Sequence, residues 1–141
     1  MRLPLPFLLL VPLALGAGEA APFKRTLSAG GRTDVSEVAR IALAVPRGGA
    51  VSPRLPAGAF EARWEGRIVA PARGDYLFTV KVRGALKVTV NGRLEIEGAG
   101  TGMSHPMDKT LLLVAGANSL VAEFSSDGAE DAVLELDWKP R

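Results

Sequence analysis

From Phe60 the chain alternates. Phe60, Ala62, Trp64, Gly66 and Ile68 are apolar or small, while Glu61, Arg63, Glu65 and Arg67 fall between them. A period of two predicts a strand with one face in a core and the other in water. Tyr76, Phe78, Val80 and Val82 against Leu77, Thr79, Lys81 and Arg83 repeat the pattern. A third run, Leu86, Val88 and Val90, leads into Asn91-Gly92. Farther on, Leu111 to Val114 is apolar at every position, which predicts a strand covered on both faces. Leu120, Ala122 and Phe124 alternate with Val121, Glu123 and Ser125, and Leu134, Leu136 and Trp138 with Glu135, Asp137 and Lys139. Short strands at regular spacing, parted by Gly, Asn and Asp turns, predict an all-β fold, an antiparallel β-sandwich of jelly-roll type. Its expected structural core holds Trp64, Tyr76, Phe78, Val88, Gly92, Leu94, Phe124, Leu136 and Trp138.

Asn91-Gly92 sets the register of one hairpin. A two-residue loop would place Val90 opposite Arg93 and put the apolar sets of the two strands on opposite faces. A three-residue loop with Gly92 as a left-handed bulge pairs Val88 with Leu94 and Leu86 with Ile96, and sets Lys87 across from Glu95. The expectation is therefore the bulged loop. Two other stretches are less determined. Gly98 to Met107 reads as a loop, as do Gly30-Gly31 and Pro46 to Gly58. Residues 34–45 fit either a short helix, with Asp34 and Glu37 as a capping box, or a strand in which Ile41, Leu43 and Val45 alternate. The strand is preferred, because a lone helix would need its own place to dock.

A length of 141 residues is one domain's worth. Met1-Arg2, the leucine-rich run from Leu3 and the small residues from Gly16 to Ala21 have the layout of a secretory signal peptide, with Gly18-Glu19-Ala20 as the cleavage site. The apolar run is shorter than the roughly 18 residues that span a bilayer. The expected organisation is thus a leader over 1–20, an N-terminal strand and loop segment over 21–54, and the main sandwich over 55–139. Secreted or periplasmic localisation follows, with no membrane contact after cleavage.

The chain has no cysteine, which excludes a disulfide scaffold, a Cys-x-x-Cys-His haem site and a lipid-modified cysteine. Its net charge is +2, and loss of the leader takes one arginine and one glutamate without changing that. Cationic and anionic residues are interspersed, with no basic run to track a phosphate backbone, so nucleic acid is not an expected partner.

Candidate chemistry is sparse. The single histidine, His105, lies beside Ser104 without the orienting carboxylate a triad needs. Glu61 with Glu65, and Glu95 with Glu97, alternate with basic residues and read as solvated faces rather than paired acid and base. Met103, His105 and Met107 have the spacing of a soft Cu(I) site, but methionines more commonly cover apolar surface. Neither catalysis nor a metal or other cofactor is expected.

The elements Phe60-Glu-Ala-Arg-Trp64-Glu-Gly66, Gly74-Asp-Tyr76-Leu-Phe78-Thr79-Val80, Val88-Thr-Val90-Asn91-Gly92 and Leu134-Glu-Leu136-Asp-Trp138, in that order, resemble the protective-antigen-fourteen domain. This is a β-sandwich module of bacterial glycosidases, adhesins and yeast flocculins, and the resemblance runs from about Leu55 to Trp138. It implies carbohydrate binding. In sugar-binding members, two adjacent aspartates after the Tyr-x-Phe-Thr-Val strand hold calcium. Here those positions fall on Arg83 and Gly84, which offer a hard cation no side-chain oxygen. Sugars commonly stack on exposed aromatic rings, yet alternation turns Trp64, Tyr76, Phe78, Phe124 and Trp138 inward and leaves Phe23 as the exposed ring. A sugar site would then be polar and built by loops, with Arg83, Asn91, Arg93, Asp127 and Asp131 as candidates. The reading that follows is a secreted, non-catalytic module for a glycan or cell-envelope polysaccharide, possessing the makings of the N-terminal part of a larger protein. Its alternative is a structural domain that packs against other protein domains and takes no small ligand.

Overall fold

Two pairs of residues with positive φ make the tightest hairpins. Gly30 and Gly31 (φ 57° and 78°) join strand β1 (Phe23–Ala29) to β2 (Arg32–Val38), and Asn91 and Gly92 (φ 51° and 80°) join β5 (Gly74–Val90) to β6 (Arg93–Gly100). Two left-handed residues in a row match the right-handed twist of the flanking strands. The remaining strands are β3 (Ile41–Val45), β4 (Phe60–Ala70), β7 (Met107–Leu113), β8 (Gly116–Ser126) and β9 (Ala132–Pro140). The structure, a computed structural model, describes residues 22–100 and 107–141. The leader over 1–20, Met103 and His105 lie outside those residues. No helix occurs among the described residues, and residues 34–45 divide between β2 and β3.

Antiparallel pairing gives a larger sheet in the order β2-β1-β4-β8-β5-β6 and a smaller one in the order β3-β9-β5-β7. The long strand β5 belongs to both. Its first half, through Arg83, pairs with β9 and β7, and from Ala85 it pairs with β8. Gly84, at φ 136°, is the joint. The two layers close over one core that includes Trp64, Phe78, Val88, Phe124 and Leu136, all at 2% exposure or less, with Tyr76 at 7%.

The β5–β6 register corrects the bulged-loop expectation. Val90 stands opposite Arg93 and Thr89 opposite Leu94, so the turn has two residues and Gly92 is part of it. The ladder slips between Val88 and Thr89, which brings Val88 opposite Ile96. Both constraints are met because the extra residue sits inside β6 instead of at the turn. In consequence Leu94 is not a core residue: it faces outward at 49% exposure, and Ile96 is buried in its place. Lys87 reaches Glu97 at 4.0 Å, while Glu95 meets Lys109 of β7 at 3.8 Å.

Three further expectations change. Leu111 and Leu113 are buried but Leu112 and Val114 are about half exposed, because β7 is an edge strand whose outer face has no layer above it. Phe23 is 1% exposed, since β1 lies inside the larger sheet between β2 and β4 and turns the ring onto the core. Trp138 is only partly buried; it meets Phe23 edge-on at 5.8 Å and Phe78 at 5.9 Å between ring centres, at the rim of the core.

Candidate functional site

The outward positions of the larger sheet form rows. Ser28, Glu61, Ser125 and Ala85 stand opposite one another in β1, β4, β8 and β5. Thr26, Arg63, Glu123, Lys87 and Glu97 make the next row, which continues into β6. Directly opposed residues in such ladders are about 5 Å apart at Cβ. Small side chains in the first row and the curl of the sheet leave a groove of about 540 Å³ that both rows line, from Thr26 and Ser28 on one side to Glu97 and Gly98 on the other. A second depression of about 480 Å³ shares Ser28, Glu61 and Ser125 and runs out between the Gly30-Gly31 turn and the Ser126-Asp127 loop. The two together make a trough across the sheet and over its end, with both polar and apolar groups in its lining. Clefts of this size take ligands as large as an oligosaccharide segment.

Charge in the trough is unevenly matched. Arg63 pairs with Glu65 at 3.6 Å and Lys87 with Glu97 at 4.0 Å. Glu61 and Glu123 take part in no ion pair among the described residues. Such exposed pairs add little stability, at most about 1 kcal/mol each. Their effect is on which charges remain available.

The five loop candidates do not converge. Asp127 lines the end of the trough, where its Oδ1 accepts the Ala129 N–H at 2.9 Å. Asp131 accepts the Arg47 N–H at 2.8 Å and sits with it in a separate open depression. Arg83 stands across from Val133, and Arg93 across from Val90 at the hairpin end. Asn91 is engaged inside the protein: its Oδ1 accepts the Ser119 N–H at 3.0 Å and its Nδ2 donates to Asn118 Oδ1 at 2.9 Å. Asn118, fully buried, donates in turn to the carbonyls of Ile68, Val114 and Gly116 and accepts the Val114 N–H. The network ties the β5–β6 hairpin to the β7–β8 turn. Replacing Asn91 by alanine is therefore expected to lower stability by about 1–2 kcal/mol, through two lost hydrogen bonds and a left-handed residue without its side-chain support. Urea denaturation measures it.

Thr26 and Ser28 of the trough precede any pattern read from the sequence, whereas Glu61, Arg63, Lys87, Glu123 and Ser125 were present in the strand pattern as outward positions. Their alternating charges read as a solvated face, and only the curvature of the sheet distinguishes them. No aromatic ring is exposed in the trough; Phe124 touches its floor and is 2% exposed. Trp138 borders a small cleft of about 100 Å³ with Arg40 and Asp137, which are themselves paired at 3.3 Å. Met107 packs partly buried against the core. No group of three His, Cys, Asp or Glu side chains with metal-binding placement exists among the described residues.

The family model for the PA14 domain matches residues 48–118. No curated protein is matched by sequence. Among solved structures, the PA14 domain of the MpAFP antifreeze protein superposes with a TM-score of 0.68 at 8% identity, covering 93% of this chain and 88% of that one. The β-glucosidase of Kluyveromyces marxianus, in complex with glucose, gives 0.63 at 20% identity over 84% of this chain and 16% of its own length. A PA14 sugar-binding domain from an RTX adhesin gives 0.54 at 18% identity, over 66% and 52%. The chain thus spans less than a fifth of the glucosidase, and these likenesses concern the fold.

Proposed function

Because the chain belongs to the PA14 domain family, we propose that it is a secreted, non-catalytic module that binds carbohydrate or a cell-surface glycan in the trough of its larger sheet. The observation that carries the reading is the trough itself, a groove of about 540 Å³ whose lining includes serine and threonine hydroxyls, carboxylates and basic groups. These are the donors and acceptors that sugar hydroxyls require. The sugar-binding domain of an adhesin and a glycosidase among the similar structures support the same class of ligand. Lacking an aromatic platform, the trough reads hydroxyls by hydrogen bonding, and binding proceeds without calcium.

Glycan-array binding tests this. Wild-type protein is expected to retain a defined set of oligosaccharides, equally in millimolar calcium and in chelator, and Ser125→Trp, which fills the trough, is expected to abolish retention. A blank array, or retention unchanged in Ser125→Trp, would sink the assignment. Secretion has its own check: the exported protein is expected to begin at Ala21, read by N-terminal sequencing, two residues before β1.

A second reading draws on Val69, Leu112 and Val114, exposed at 72%, 50% and 47%. Val69 stands across from Ala117 at the β8 start, and Val114 is bonded to Asn118 just beyond it, so the two lie at one end of the sandwich. An apolar end suits packing against another protein domain. A blank array together with concentration-dependent oligomers in sedimentation would favour it.

A further inference from the structure

We propose that the trough selects glycans bearing free amino groups, over their N-acetylated and uronate counterparts. This rests on the trough being the glycan site. In its first row Glu61 stands between Ser28 and Ser125, opposite one on β1 and the other on β8. A carboxylate flanked by two hydroxyls offers three acceptors about one strand apart, and a protonated amine carries three donors. A neutral hydroxyl would satisfy one of these acceptors and leave the carboxylate charge unanswered. Glu123 lies one row on, diagonal to Glu61 across Ser125, with Arg63 and Lys87 on either side of it.

The basic groups of the trough do not oppose this selection. Arg63 and Lys87 lie in the same row as Glu123 but are held by Glu65 and Glu97. The charges left without an ion-pair partner among the described residues are thus negative, on a protein whose net charge is +2. Acidic polysaccharides meet carboxylates without ion-pair partners there, and like charges a few ångströms apart repel, by about 1 kcal/mol in water at low salt. A divalent metal is not the intended cation, because the carboxylates do not gather into a metal-binding group.

Isothermal titration with three hexasaccharides decides it: glucosamine, N-acetylglucosamine and galacturonate oligomers, at a mildly acidic pH that keeps the sugar amines protonated. The glucosamine oligomer is expected to bind about tenfold or more tightly than the acetylated one, with the advantage shrinking as salt rises. Glu61→Gln keeps the shape and removes the charge; it is expected to erase the preference, bringing the affinity for the glucosamine oligomer down to that for the acetylated one. Equal affinity for the two, tighter uronate binding, or a preference that survives in Glu61→Gln together with Glu123→Gln would overturn the proposal while leaving the glycan site intact. Binding of none of the three would overturn the proposal, and a blank glycan array beside it would overturn the glycan site as well. A lysine hexapeptide that binds as tightly as the glucosamine oligomer would show charge attraction alone and also overturn it.

Discussion

Trp64→Ala is expected to destabilise the fold by about 3–5 kcal/mol, the range for deleting a large ring from a packed core. The ring is fully buried in the central strand β4, across from Ala122 on one side and Arg25 on the other. Ala122 is itself fully buried and small, so the indole fills space that no neighbour can reclaim. The cavity left by alanine would persist in a sheet whose backbone is paired on both sides of β4. The indole also carries an unusual burden, since its Nε1 is buried without a hydrogen-bond partner in the protein. Trp64→Phe gives up that donor along with some volume and is expected to cost clearly less than the alanine variant. Urea denaturation of both variants, with slopes equal to wild type, checks the pair. A near-neutral alanine variant would mean that the ring lies at the surface, where it would become a stacking platform for a sugar.

Gly84→Asp is the other large effect. The resemblance places a calcium-binding aspartate at this position, and restoring it looks like a route to a calcium site. The backbone forbids it. Gly84 holds φ at 136°, and a Cβ there would lie 2.5 and 2.6 Å from Phe124 Cζ and Cε1 and 2.9 Å from the Ser125 carbonyl oxygen. Phe124 cannot withdraw easily, being 2% exposed and packed on Phe60 with ring centres 6.0 Å apart. Backbone strain of about 1–3 kcal/mol adds to overpacking of about 1–3 kcal/mol. The variant is expected to lose about 3–5 kcal/mol and to gain no calcium-dependent rise in melting temperature, alone or with Arg83→Asp. A well-folded double variant that calcium stabilises would show that β5 can be rebuilt around a metal. Glycine at this joint thus answers to the course of β5 between the sheets.

Much of the fold was legible because strand alternation is written locally. Phe60 to Ile68 and Tyr76 to Val82 show their inward sets directly, and those residues form the core. Errors arose where a residue's surroundings depend on a distant partner. Leu94 counts as apolar wherever it stands, and only the slip inside β6 decides that Ile96 enters the core instead. Leu111 to Val114 looks doubly covered until the strand is seen to lie at an edge. Phe23 precedes any visible pattern, and its burial depends on β1 being clasped by β2 and β4.

The candidate site divides in the same way. Asp127 was identified from its turn and does border the trough, whereas Asn91 belongs to a hydrogen-bond network with Asn118, twenty-seven residues later in the chain. Glu61, Glu123 and Ser125 were visible as outward positions without any sign that they belong together, and Ser28 lay in a stretch with no visible pattern. Their alignment is a matter of register between β1, β4 and β8.

The sequence by itself determined which residues of the regularly alternating strands face inward, where those strands turn, and that Arg83-Gly84 carries no side-chain oxygen for calcium, because each is a property of neighbours along the chain. The tertiary structure decided the register of β6, the passage of β5 from one sheet to the other at Gly84, and the curvature that turns one polar face into a trough. Those depend on pairing and packing between segments far apart in sequence, where the free energy of a given residue is set by what lies across from it.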